Sequence, residues 1–184
     1  MNRRRTMRTP FVIALMLGLI LLPGCSTSPN TAAGERALDD ECQYAINDFK
    51  RVKGLEGFFA ESAAYAVFPG VGKGGFIVGA AYGDGQLYQG GEAVGYCSLS
   101  QATVGLQIGG QKYRELIFFR SPASVRMFKQ GRFELSAQAS AVAVAVGAST
   151  TADYSHGVAV FTMSKVGLMV EASIGGQRFS YVTK

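Results

Sequence analysis

From residue 65 to the C-terminus the chain is written in short β-forming runs separated by glycine, and this restricts the fold more than any other feature. Runs of β-branched and aromatic residues with period-2 alternation, bounded by turn residues, predict strands. They fall at 65–69, 75–82, 92–99, 101–109, 113–119, 133–147, 157–163, 166–173 and 177–183. Turn chemistry separates several of them: "GDG" at 83–85, "QGG" at 89–91, and "GGQ" at 109–111 and 175–177. One break is helical. In "SPASVRMFKQG", Ser121 suits an N-cap, Pro122 the first helical position and Gly131 the stop, so a short helix is expected near 121–131. The stretch "SAQASAVAVAVGAS" alternates tiny residues with Val, which lets another backbone or a helix approach closely. Long helices do not alternate with strands, so a parallel α/β sheet is not expected.

The segment before the strands is helical. Leu38, Cys42, Ala45, Phe49 and Val52 recur at spacings that put them on one face of an amphipathic helix over 36–53. Asp39, Asp40 and Glu41 lie near its start. Lys50, Arg51 and Lys53 lie in its last turn and Gly54 follows, as the helix dipole and a C-cap favour. Its apolar face suits either a core or a membrane surface. A second, short helix fits 55–64. The fold class is therefore α+β: one β-rich domain with a curved antiparallel or small barrel-like sheet, an N-terminal amphipathic helix and the short helix near 121–131.

The first 24 residues have the form of a leader. Arg3, Arg4, Arg5 and Arg8 form a basic region, and Phe11 to Leu22 is an apolar run too short to span a bilayer. The run ends "LLPGCSTS", which resembles the lipobox of bacterial lipoproteins, with cleavage before Cys25 and acylation of that residue. The alternative is a plain secretory leader. Residues 25–35 then read as the lipidated Cys and a polar tether, and 36–184 as the domain. Ser26, rather than Asp, after the Cys suggests sorting to the outer membrane. The leader holds four of the 18 basic residues and none of the 13 acids, leaving 14 bases against 13 acids. The basic balance thus belongs to the leader, and nothing points to nucleic acid. Cys42 and Cys97 remain; in an exported protein they are a candidate disulfide or two buried free thiols.

Gly70, Gly72 and Gly75 spell G-x-G-x-x-G around Lys73, a spacing used to wrap phosphates. A dinucleotide fold needs a helix after such glycines, and "FIVGAAYG" is strand-like. A P-loop needs Ser or Thr after its Lys, where Gly74 stands. No nucleotide is expected. His156 is the only His, and in "DYSH" at 153–156 neighbouring side chains point apart rather than converge. No spacing suits a metal. The expectation is a protein without catalytic residues or cofactors.

The blocks "AYAVFPGVGKGGFIVGAAYGDG", "VGYCSL", "GLQIGGQKYRELIFF", "ELSAQASAVAVAVG" and "SKVGLMVEASIGG" follow one another over about residues 37–182. In this order they resemble the SYLF-domain family, in its small bacterial lipoprotein form. The resemblance implies one compact domain that associates with lipid. Eukaryotic relatives bind phosphoinositides and act on actin at membranes; exported bacterial members meet neither inside the cell. The chain departs from the family at Gln138 and Gly175, where members often carry acids. Combined with the leader, the resemblance implies a non-catalytic lipoprotein of the cell envelope, anchored by Cys25 and facing the periplasm or the surface. Its partners would be membrane lipids, with Lys50, Arg51, Lys53 and Lys73 as candidate headgroup contacts. The alternative is an interaction lipoprotein, antigen-like, that binds an envelope or host protein.

Overall fold

The computed structural model describes residues 28–135, 142–143 and 153–184. The leader, Cys25, and most of the small-residue run with Gln138 lie outside the described residues.

Thr31 starts the first helix, α1 (Ala32–Lys50), by accepting a hydrogen bond from the Gly34 N–H at 3.1 Å. The helix thus begins before the spacing of apolar residues shows it. Cys42, Ala45, Ile46 and Phe49 are buried on one stripe, and Val52 continues it past the helix end. That face is core, so of its two readings the membrane surface is ruled out. A short α2 (Glu56–Glu61) follows and lays Phe58 and Phe59 against Phe118, with ring centroids 5.4 and 4.9 Å apart.

The sheet is built from β1 (Ala64–Gly75), β2 (Val78–Gln89), β3 (Glu92–Phe119) and, after α3 (Pro122–Lys129), from β4 (Glu134–Leu135), β5 (Val142–Ala143) and β6 (Val158–Thr183). All pairs are antiparallel except the two-residue match of β5 with β6. β3 pairs with β2 over 92–104 and with β1 over 109–119, while β6 follows its other edge throughout. The β3–β6 ribbon therefore bends round the end of the β1–β2 hairpin, and β1 is paired on both edges. α3 has the expected caps: Ser121 Oγ accepts from the Ser124 N–H, and Pro122 opens the helix.

Three expected breaks are absent. "GDG" lies inside β2 and both "GGQ" stretches lie inside β3 and β6, so six expected strands fuse into two. At "GDG" the reason is close packing: a Cβ on Gly85 would strike the carbonyl oxygen of Val67 on the neighbouring strand, and one on Gly83 would crowd Val71. Only "QGG" is a turn: Gly90 and Gly91 take φ of 60° and 88°, as a tight hairpin requires. The G-x-G-x-x-G stretch is strand, with its register shifted between Phe68 and Val71, where Pro69 interrupts the ladder. Lys73 accordingly sits in β1, opposite Ala81 and Gln111, and not in a glycine turn.

Two clusters fill the two faces of the sheet. On the outer face, Val67, Leu116, Phe118, Phe161 and Met163 pack under α1. On the inner face, Phe68, Leu99, Ile117, Phe119 and Val160 pack with Phe128 of α3. Cys42 belongs to the outer cluster and Cys97 to the inner one, and both are free thiols. The disulfide reading is thereby corrected: the sheet stands between the two packing sites. Burial raises both thiol pKa values.

Candidate functional site

Along β3 the outward-facing residues are Val104, Leu106, Ile108, Gly110, Lys112, Arg114, Leu116 and Phe118, one every second position. Leu116 and Phe118 lie under α1 and are fully buried. The helix does not reach the other end. There Val104, Leu106 and Ile108 are exposed, and the turn of the β1–β2 hairpin adds Phe76, Ile77 and Val78. These six residues are 55–67% exposed. They belong together: Val78 pairs with Val104, Gly75 with Gly109, and the Gly105 N–H bonds the Ile77 carbonyl at 2.9 Å. In the β6 register, Val104, Leu106 and Ile108 face Ile174, Ala172 and Val170. The end of the sheet thus carries a contiguous apolar patch in water, a feature that marks interaction surfaces.

A basic band separates this patch from the covered core. Lys112 is exposed on β3. Arg114, next on the same face, is held by Asp48 of α1 at 2.7 Å, which ties the helix to the sheet. Lys165 Nζ donates to the Pro69 carbonyl at 3.2 Å. Burial lowers the Lys165 pKa, and the neighbouring Arg114 and Lys112 charges lower it further, while Glu41 and Asp48 of α1 pull it back up.

The residues named from sequence are not brought together. Lys50 lies over the Phe59 ring, which packs on Tyr65 at the start of β1, and Arg51 pairs with Asp48 at 3.5 Å. Tyr65 and Phe76 are separated by roughly 35 Å of extended chain, so Lys50, Arg51 and Lys53 sit toward the end opposite the apolar patch. Lys73 is the one near it, and it faces inward, lining a polar cavity with Glu115. Cys25 lies outside the described residues. Ser28, the first described residue, borders a crevice with Gly70, Tyr82 and Asp84, partway up the hairpin toward the apolar end. In "DYSH", Asp153 accepts from the Tyr154 N–H while Ser155 meets His156 at 3.0 Å on an exposed turn. No hydrogen bond joins Asp153 to His156 among the described residues.

Sequence reasoning missed the apolar end. Its signal was present as V-x-L-x-I at 104–108 beside "FIV" at 76–78. Alternation says that one face is apolar, not what covers it.

Residues 100–183 match the family model described as Ysc84, Las17-binding protein actin regulator. The match covers just under half of the chain, and it is a similarity of that segment to the family. The segment holds Val104, Leu106, Ile108, Lys112 and the whole of β6; α1 and the β1–β2 hairpin precede it. The chain is also similar, over 84 residues, to beta cell expansion factor A of Aeromonas veronii, at 29% identity. The match covers 46% of this chain and 32% of the relative, so this chain's match spans about a third of that protein's length.

Proposed function

We propose that this protein is a non-catalytic envelope lipoprotein, anchored through acylated Cys25, whose domain lies against a membrane by its apolar end. The observation that carries this reading is the bare outer face formed by Phe76, Ile77, Val78, Val104, Leu106 and Ile108, bordered by Lys112 and Lys165. Apolar side chains would enter the acyl region while the bases meet lipid phosphates, the usual partition at an interface. Placement of the tether supports it. Cys25 is three residues before Ser28, which spans about 10 Å at most. An anchor there would start on the hairpin flank that leads to the apolar end. Acyl chains and the patch would then share one membrane, in the periplasm or at the surface, with the outer membrane as the expected site. Lys73 faces the interior and Lys50, Arg51 and Lys53 lie toward the far end, so Lys112 and Lys165 take the headgroup role in this reading.

The family description names binding to a protein, Las17, and actin regulation. An exposed apolar patch serves a protein partner equally well in physical terms. Co-sedimentation of the leaderless chain with anionic vesicles separates the two. Sedimentation with vesicles supports the membrane reading. A chain that stays in the supernatant at low salt refutes it and leaves the protein partner.

A further inference from the structure

The inner face of the sheet changes character along its length. Phe68, Ile117, Phe119 and Val160 fill the end closed by α3. Beyond them the inward positions turn polar and line a cavity of about 300 Å³ that opens to solvent. Gln101, Gln111, Thr162 and Ser164 line it, and Lys73 reaches it because the shift in register at Pro69 leaves Val71 and Lys73 facing inward. Small-molecule sites run from about 300 to 1,000 Å³, so one small ligand fits.

Glu115 marks the cavity as more than a packing defect. Its side chain is fully buried, in a run that is otherwise apolar, "LIFF". Oε2 accepts a hydrogen bond from Gln177 Nε2 at 3.0 Å. Oε1 has no partner among the described residues. A buried carboxylate oxygen left unpaired is costly, and here it borders a cavity that can hold its partner. Burial pushes the Glu115 pKa up to about 7, while Gln177 and the Lys73 charge pull against that rise.

The lining selects the ligand's chemistry. A cation would meet Lys73, whose charge already acts on Glu115, and an anion would meet Glu115 itself. The other groups are neutral amides and hydroxyls, which both donate and accept. We propose that this cavity binds an uncharged polyhydroxylated group, a sugar ring or polyol, with one hydroxyl donating to Glu115 Oε1 and others meeting Gln101 and Gln111. A free sugar and the headgroup of a neutral glycolipid share this chemistry. The site is separate from the apolar outer face and does not rest on the membrane reading.

The test uses the leaderless chain in buffer without detergent or sugar. Saturation-transfer NMR is run with glucose, galactose, mannose and glycerol, and sedimentation with vesicles that do or do not carry a neutral glycosyl diglyceride. The expected result is transfer to at least one free sugar, weakened at least tenfold by Glu115→Gln and also by Gln111→Ala, both checked for folding by thermal melting. Preference for glycolipid vesicles with the same Glu115 dependence also supports the site and assigns the headgroup as the source. Absence of binding by every probe overturns the proposal and leaves a cavity filled by water. Binding that both variants leave unchanged places the sugar elsewhere and overturns it too.

Discussion

Leu106→Ser with Ile108→Ser strips the centre of the apolar end. In water these side chains are 63% and 55% exposed, so the fold gains little from them. Surface changes of this kind shift stability by no more than about 0.5 kcal/mol. Fully burying a Leu or Ile is worth about 1.5–3 kcal/mol, and the exposed part of each therefore about 1–2 kcal/mol on entering hydrocarbon. The pair together should lower the partition constant by about 2–4 kcal/mol, or about thirty- to several-hundred-fold at 1.4 kcal/mol per tenfold. The assay is co-sedimentation of the leaderless chain with phosphatidylethanolamine–phosphatidylglycerol vesicles over a range of lipid concentrations. Tyr44→Ser is the control: Tyr44 is 71% exposed on α1, outside the patch, and its loss should leave partition unchanged. A double variant that melts normally and partitions like the parent would refute the assignment of this face to lipid.

Lys112→Ala should weaken binding to anionic vesicles by about fivefold at low salt, since a base near such a surface contributes about 1 kcal/mol. The difference should vanish in high salt, because Lys112 is exposed and readily screened. Glu115 should make the fold sensitive to pH. Its pKa is about 7 in the folded chain against 4.5 for the unperturbed group, so the native state holds the extra proton. Its contribution to stability is full below pH 4.5 and is lost as pH rises to about 7. The loss amounts to about 3 kcal/mol, and urea titrations of the parent and Glu115→Gln should diverge over that window. Cys42 and Cys97 are buried thiols whose pKa values burial raises. A thiol reagent should leave both unmodified in buffer and label both in denaturant, whereas a disulfide would show no labelling even when unfolded.

Several elements were legible in the sequence because one physical cause produced one pattern. The stripe from Cys42 to Val52 has helical spacing and is buried as such. The Ser121–Pro122 start of α3 and the Gly90–Gly91 turn follow from capping and from positive φ. Other signals have two causes. Glycine at 83–85, 109–111 and 175–177 suits a turn and also a strand pressed against its neighbour; only the contact of Gly85 with Val67 decides. Fusing the short runs into β3 depended on a bend where β3 changes partner, marked by Gly105 and Gly109 at φ of 146° and 118°, of which Gly109 reads in sequence as part of a turn. At the site, alternation at 104–108 is identical for a core face and a bare one, and the distinction lies in where α1 stops. Glu115 was one acid beside an apolar run, and its isolation became visible only when the inner face was assembled.

The central claim is that the apolar end enters the bilayer. The chain has no Trp, so a single introduced one reports its own surroundings. Ile108→Trp places it in the patch, and Met127→Trp places it on α3, at the other end of the sheet. Vesicles made with lipids brominated along the acyl chain quench a Trp that reaches the hydrocarbon. The account predicts strong quenching at position 108 and none at 127 in the bound leaderless chain. Quenching at 127 and not at 108, or at neither in a chain that sediments with the vesicles, would contradict it.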